Sequence, residues 1–487
     1  MSRPQTIAPI ERLTTGSVAL DQILGGGIPA RSVNVITGEP GSGKTVFVLQ
    51  ILFHLARQGK KSLYFTTLSE PALKLIGYMQ QFAFFDRALL VDTVKFVDLG
   101  ATVRQGDADT TLAVITDRME QEEPAVIVID TFKAIAELQH DATRARTFVY
   151  DLAVQTASWG VTALLVGDYF DTELAAWPEF AVADGIVRLS TRRTELTAMR
   201  ELDVLKLRGA DYVTGRHFFE ISEGGVSFYP RVRAPDGEDL MIEPGDRVLT
   251  GVAGLDRLLD GGLPRTSASV VQGGTGTGKT LLGLHFLLEG ARRGEVGVLF
   301  SLEETKNQLC AVAKGYGWDL AALEARGLVT IAYTSPVELS TDRFLDQTRA
   351  LVARLGARRA VLDSLTSMAL GVSSERRFKE LVYALTKHFR TAAVSLMMTM
   401  EIPELLGSAL LSGHGISFAA DNVIQFRFVE VEDHLERGIS VLKARGVRHG
   451  TEVRRAIIGA GGLEVIDAYP NVRGVITGLA PPKKVAP

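Results

Sequence analysis

The feature that most constrains this chain is that it contains one long segment twice. Thr15–Pro29 reads T-G-S-V-A-L-D-Q-I-L-G-G-G-I-P, and Thr250–Pro264 reads T-G-V-A-G-L-D-R-L-L-D-G-G-L-P. The same spacing of 235 residues relates Leu20 to Leu255, Asp21 to Asp256, Gly38 to Gly273, Lys44 to Lys279 and Phe65 to Phe300. Near the end of each copy, K-L-R-G at Lys206–Gly209 matches K-A-R-G at Lys443–Gly446 at a spacing of 237. So small a drift leaves almost no net insertion. A unit this long is not a solenoid repeat of ~20–50 residues; it is a whole domain used twice. The 487 residues therefore read as two domains of about 200–250 residues, each large enough to bury a core without staples. The expected division is a first domain over 1–232, a linker over 233–246, a second domain over 247–478 and a short tail over 479–487. The linker lies in Arg231–Asp246, where prolines, glycines and charges crowd together in the manner of a loop.

Within each copy, short apolar runs alternate with helical patterns. Ser32–Thr37, Ser62–Thr67, Ala125–Asp130 and Val161–Gly167 read as strands of the first copy. Ala268–Gln272, Val296–Ser301, Arg359–Asp363 and Ala393–Met398 read as strands of the second. Runs rich in Val, Ile and Leu, separated by helices, predict a mostly parallel sheet covered on both faces, an α/β fold. The charged, β-rich stretches Gly185–Tyr229 and Val423–Ile466 read as antiparallel additions at the sheet edge.

Composition removes several function classes. The single cysteine, Cys310, excludes an internal disulfide framework and a Cys-rich zinc module. The net charge of −4 argues against a polybasic nucleic-acid or membrane protein. No apolar run approaches the ~18 residues of a membrane span, and Met1–Pro9 lacks the apolar core of a signal peptide, so a reducing cytoplasm is expected.

The glycine clusters carry the chemistry. Gly38-Glu39-Pro40-Gly41-Ser42-Gly43-Lys44-Thr45 and Gly273-Gly274-Thr275-Gly276-Thr277-Gly278-Lys279-Thr280 both fit G-x-x-x-x-G-K-[ST]. Such a loop turns successive backbone N–H groups around a β-phosphate, and the helix that follows adds its N-terminal dipole. Lys44 and Lys279 reach the β- and γ-phosphates of ATP, while Thr45 and Thr280 serve Mg²⁺. A tight turn with an accidental lysine is the bland alternative; two matches at one spacing argue against it. Asp130 and Asp363 close apolar strands, where a carboxylate is the usual second Mg²⁺ partner; the alternative is a cap for the next turn. Glu303 and Glu304 follow V-G-V-L-F-S, where a glutamate can polarise the water that attacks the γ-phosphate. They also suit the first turn of a helix over Glu304–Gly315. The first copy offers one acid there, Glu70, just before Pro71.

Taken together, these motifs resemble the KaiC family of tandem RecA-like P-loop ATPases. The resemblance runs from about Leu13 to Gly478 and includes E-E-T at Glu303, G-Y-G-W-D at Gly315–Asp319 and L-D-S-L-T at Leu362. It implies two stacked rings of six subunits with ATP between neighbours, and a regulatory or signalling protein partner. By the same resemblance Lys206 and Arg208, and Lys443 and Arg445 in the second domain, reach ATP held by the adjacent subunit; a solvated hairpin face is the alternative. Clock members carry a phosphorylated Ser-Thr pair in the second domain. The corresponding segment here, Gly413–Phe418, offers Ser417 and then Phe418, so a two-site cycle is not expected, although Ser417 stands as a phosphoacceptor candidate. Gly474–Gly478 resembles the loop that precedes a regulator-binding tail, with little chain after it. The implied function is an ATP-hydrolysing hexameric switch with possible serine autokinase activity. Two alternatives are a RecA-like DNA-handling ATPase, suggested by Arg437, Lys443, Arg445, Arg448, Arg454 and Arg455, and a nucleotide-gated protein scaffold. DNA is disfavoured by the charge balance, and no membrane partner is expected.

Overall fold

The computed structural model describes residues 10–68, 70–105, 108–137, 142–170, 172, 176–193, 198–233, 245–372, 374–402, 419–431 and 434–468. The chain divides into two compact units, Met1–Arg231 and Val232–Pro487. Positions 234–244 of the expected linker, and the expected tail, lie outside the described residues.

The first unit is built on β1 (Val33–Gly38), helix α1 (Lys44–Arg57), β2 (Ser62–Thr66), β3 (Val94–Asp98), β4 (Val126–Asp130), β5 (Thr162–Asp168) and β6 (Gly185–Arg193). It ends with β7 (Ala198–Leu207), β8 (Arg216–Ser222) and β9 (Gly225–Tyr229). Across the sheet the order is β3-β2-β4-β5-β1-β6-β7-β8-β9. Neighbours from β3 to β6 run parallel; those from β6 to β9 run antiparallel. The edge extension thus begins with a strand parallel to β1 rather than antiparallel throughout. Side chains along the central strands alternate between two cores. Val35, Phe65, Ile129 and Leu165 enter one; Ile36, Tyr64, Val128 and Leu164 enter the other. That two-sided burial is why these strands read as continuous apolar runs instead of alternating ones. Helix α1 lies under the sheet with Phe47, Val48, Leu49, Ile51 and Leu52 all buried.

The second unit repeats the plan. Its strands are β10 (Ala268–Gly273), β11 (Gly297–Ser301), β12 (Val329–Tyr333), β13 (Arg359–Asp363), β14 (Ser395–Glu401) and β15 (Asn422–Val431). These are followed by β16 (His434–Ala444), β17 (Arg454–Gly459) and β18 (Gly462–Ala468), and helix α2 (Lys279–Arg292) follows β10. The order β12-β11-β13-β14-β10-β15-β16-β17-β18 is the same. Register is preserved as well: Thr66 pairs with Asp130 and Ser301 with Asp363.

The T-G…D segments have a structural task. Asp21 Oδ1 accepts from the Thr15 backbone N–H at 2.8 Å, and Asp256 Oδ1 accepts from Thr250 N–H at 2.7 Å and from its hydroxyl at 2.8 Å. Each carboxylate pins the turn next to a two-residue ribbon, Arg12–Leu13 with Ile28–Pro29 and Arg247–Val248 with Leu263–Pro264.

Candidate functional site

In both units the P-loop leaves the C-terminal end of the middle strand and enters a helix, and the ends of neighbouring strands face it. This is where open α/β sheets place their ligands. Gly41 and Gly276 have φ of +79° and +74°, and Gly43 and Gly278 have φ of +100° and +107°. These left-handed values are open to glycine at no steric cost.

In the second unit Gly276, Gly278, Lys279, Thr280, Glu303, Glu304, Asp363, Ser364 and Glu401 line a cavity of about 350 Å³. The Thr280 hydroxyl donates to Asp363 Oδ2 at 2.7 Å, and the Thr399 hydroxyl donates to Asp363 Oδ1. Burial pushes the Asp363 carboxyl up despite those donors. Lys279 donates to the Gly274 carbonyl at 2.8 Å, and burial lowers its pKa against the pull of Glu401, Asp363 and Glu303. Glu303 Oε1 accepts from Ser367 Oγ at 2.7 Å and also from Ser364 Oγ. Glu304 is pushed up by burial first and then by the charges of Asp363 and Glu303. The glutamate pair stands before the helix, not in its first turn. That helix is Lys306–Gly315, and Thr305 caps it in a capping box with Gln308, a local arrangement that fixes the start one residue after the cap.

In the first unit Gly41, Gly43, Lys44, Thr45, Tyr64, Glu70, Asp130, Thr131 and Asp168 line a cavity of about 430 Å³. Thr45 donates to Asp130 Oδ2 at 3.1 Å, and Tyr64 donates to the same oxygen. Burial pushes the Asp130 carboxyl up, against the donors Tyr64 and Thr45. Lys44 Nζ donates to the Gly38 and Glu39 carbonyls at 3.0 and 2.9 Å and pairs with Asp168 at 2.6 Å. Glu70 lies on the cavity wall but is paired with Lys74 at 3.0 Å. Of the other P-loop residues, Ser42 is buried beside the Lys44 ammonium at 3.4 Å, and Thr277 donates to the Gly274 carbonyl at 2.8 Å. Gly38 and Gly273 end their strands.

The K-x-R-G residues stand apart from both cavities. Lys206 donates to the Ala181 carbonyl at 3.3 Å, and Arg208 pairs with Asp184 at 3.2 Å. Lys443 donates to the Ala420 carbonyl at 2.7 Å, and Arg445 meets Asp421 at 3.6 Å. None of the four lines the cavity of its own unit. Burial lowers the pKa of Lys206 and Lys443, and the neighbouring arginine adds to it. Ser417, the rest of Gly413–Phe418 and Gly474–Gly478 lie outside the described residues.

A Mg²⁺ ion fits the donors present. Each cavity offers a hard pair, a threonine hydroxyl bonded to a buried carboxylate, and no described cluster of three His, Cys, Asp or Glu side chains could hold a metal alone. Mg²⁺ characteristically takes one or two protein oxygens and completes its shell with phosphate and water. Sequence reasoning missed Asp168, Glu401, Tyr64, Ser364 and Ser367. Asp168 and Glu401 end the strands β5 and β14, the same signal that identified Asp130 and Asp363. The two serines had no such signal.

The sequence model of a family described as the KaiC ATPase matches residues 13–233 and again 248–469. The chain is 29% identical over 484 residues to the circadian clock protein KaiC3 of Synechocystis sp., a match covering 96% of this chain and 94% of that one. It is 28% identical over 488 residues to the circadian clock oscillator protein KaiC of Thermosynechococcus vestitus, covering 97% and 92%. The corresponding protein of Picosynechococcus sp. is 26% identical over 486 residues, covering 97% and 93%.

Proposed function

Because the chain belongs to the KaiC family of ATPases, we propose that it is an ATP-hydrolysing switch that assembles as a homohexamer of two stacked rings and signals to a protein partner. One observation carries this reading. Each P-loop cavity holds the phosphate-binding lysine and the threonine–aspartate pair, while the K-x-R-G cations stand outside it, with the Arg208 and Arg445 side chains 61% and 63% exposed. Cations so placed suit a neighbour's nucleotide, where an arginine stabilises the spreading charge of phosphoryl transfer.

Lys44 and Lys279 bind the β- and γ-phosphates. Thr45 with Asp130, and Thr280 with Asp363, would hold Mg²⁺, which would supply charge neutralisation at the phosphates. At the second site a water oxygen attacks the γ-phosphorus and gives its proton to Glu304. The bond from the γ-phosphorus to the bridging oxygen breaks, and its electron pair leaves with ADP. A carboxyl raised above its ordinary value is a better proton acceptor than an ordinary glutamate, and Glu303, fixed by two serine hydroxyls, orients the water. At the first site the glutamate on the cavity wall, Glu70, is paired with Lys74 and is not free for the same work.

Autophosphorylation of Ser417 is a secondary activity in this reading. The setting is cytoplasmic; no helix among the described residues is long and apolar enough to cross a membrane. DNA is the weaker reading: of the cations that suggested it, Arg454 and Arg455 are engaged by Glu452 and Glu436, and Arg445 by Asp421.

Incubation with γ-labelled ATP, followed by phosphate release and peptide mass analysis, tests the chemistry. Free phosphate is expected; its absence would refute the ATPase, and label on Ser417 would establish the kinase. Native mass spectrometry tests assembly. Lys44→Ala should lose the hexamer and Lys279→Ala should keep it, and intact hexamers in Lys44→Ala would sink the first half of that expectation.

A further inference from the structure

The two cavities share a backbone but not a chemistry. Leu302 N–H donates to the Asp363 carbonyl at 2.6 Å, and Thr67 N–H donates to the Asp130 carbonyl at 3.1 Å, so Thr67 and Leu302 occupy equivalent places. The next residues are therefore Leu68 against Glu303 and, in sequence, Ser69 against Glu304. The supports for the missing acid differ in parallel. Ser364, which follows Asp363, donates to Glu303. Its counterpart after Asp130 is Thr131, whose hydroxyl oxygen is buried with no hydrogen-bond partner among the described residues. Ser367, the second donor to Glu303, corresponds to Ala134. A buried hydroxyl without a partner is costly, and here it stands where a carboxylate would accept its proton. Of the acids on the cavity wall other than Asp130, Glu70 is held by Lys74 and Asp168 by Lys44. The phosphate-binding parts are complete: Lys44, Thr45 and Asp130 all face the cavity.

We propose that hydrolysis is confined to the second site, where Ser364 and Ser367 act as positioning residues for Glu303, and that the first site retains ATP without cleaving it. The inference rests on the ATPase reading above. It separates two properties that differ physically. Binding uses the P-loop, the lysine and the metal pair, whereas cleavage also needs a group that accepts the water's proton.

The test uses the full chain. Steady-state phosphate release is measured for the wild type and for Glu303→Gln/Glu304→Gln, and the nucleotide left on each after desalting is identified by chromatography. A positioned base contributes ~10²–10⁴-fold, so release should fall by roughly a hundredfold while ATP remains bound. Release that falls by only about half would overturn the proposal, since the first site would then account for the rest. A Lys279→Ala chain, with the second site disabled, should retain ATP; accumulation of bound ADP would equally overturn it. Absence of phosphate release in the wild type would instead refute the ATPase reading. Ser364→Ala/Ser367→Ala should lower kcat about tenfold or more with KM unchanged, as misplacement of a reacting group does, and Ser367→Ala with Ser364→Thr should recover part of it. Equal loss of kcat and nucleotide retention would mean that the serines merely support the fold.

Discussion

Arg359 is 1% exposed at the start of β13, the strand whose other end carries Asp363. Its Nε donates to Glu295 at 2.6 Å, and Nη1 donates to the Leu249 and Phe286 carbonyls at 2.7 and 2.9 Å. The guanidinium lies 4.7 Å from the centre of the Phe286 ring. The stem passes over Gly290, where an added Cβ would lie 2.5 Å from Arg359 Cδ. Replacement by methionine keeps most of the stem volume and removes the charge. Phe286 lies within α2, so the helix supplies its carbonyl with another donor, and Glu295 keeps Arg265 at 3.0 Å. The Leu249 carbonyl loses its side-chain donor, at a cost of about 1–3 kcal/mol. Loss of the ring contact adds about 1 kcal/mol, and the reduced pairing of Glu295 adds about 1 kcal/mol. The sum is about 3–5 kcal/mol. For a unit of this size each kcal/mol moves the midpoint by about 2–4 °C, so Arg359→Met should melt the second unit roughly 10 °C earlier. Calorimetry of the full chain, with hydrogen exchange read on peptides from β13 and from β4, measures it. The β4 peptides serve as the reference because Val126 stands where β13 has Arg359. A shift below about 3 °C would refute the reasoning, as would equal loss of protection in β4.

Two other outcomes follow from buried titratable groups. His285 accepts the Leu463 N–H at 2.9 Å, and burial lowers its pKa to about 4; burial and Arg349 lower His388 to about 4 as well. Both are neutral in the fold and protonate more readily when unfolded. The second unit should therefore hold full stability above about pH 6.5 and lose it as the pH falls toward 4, by about 1–2 kcal/mol per ring after allowance for solvent screening; a midpoint that is flat from pH 7 to 5 would contradict this. Tyr64→Phe removes a donor to Asp130 and should destabilise the first unit by about 1.5–3 kcal/mol. Melting curves with and without Mg-ATP check it: the deficit should shrink with ligand, which supplies the carboxylate with another partner.

The duplication, the mostly parallel sheet of each copy and the strand-to-helix turns at the two G-x-x-x-x-G-K-T motifs were legible in the sequence because each is written locally. A run such as Val126–Asp130 declares its burial by composition, and G-x-x-x-x-G-K-T declares its use by spacing. The capping box at Thr305 and Gln308 was equally local, yet it competed with the acidic pair for the helix start and won. The Ser364–Ser367–Glu303 cradle was not legible. Its members come from the segments that follow two strands, β11 and β13, and meet only through the register that pairs Ser301 with Asp363. The Lys44–Asp168 pair likewise depends on the parallel pairing of β1 with β5, which brings Gly38 opposite Asp168.

The differences between the copies fall at a particular level of the structure. Sheet order and register agree, and both cores are filled on both faces, so packing would tolerate either chemistry at the strand ends. Exchanging Leu68 for a glutamate changes no strand and no buried helix face. It changes only whether a base stands beside the γ-phosphate. Retaining a nucleotide needs only the ground-state contacts to its phosphates, whereas a base acts in the transition state. A duplicated domain can therefore lose cleavage at one site while retaining nucleotide there. In the two-ring assembly proposed above, the retaining domain would hold the assembly together through its bound ATP. The cleaving domain could then change state with each turnover without dissolving that assembly.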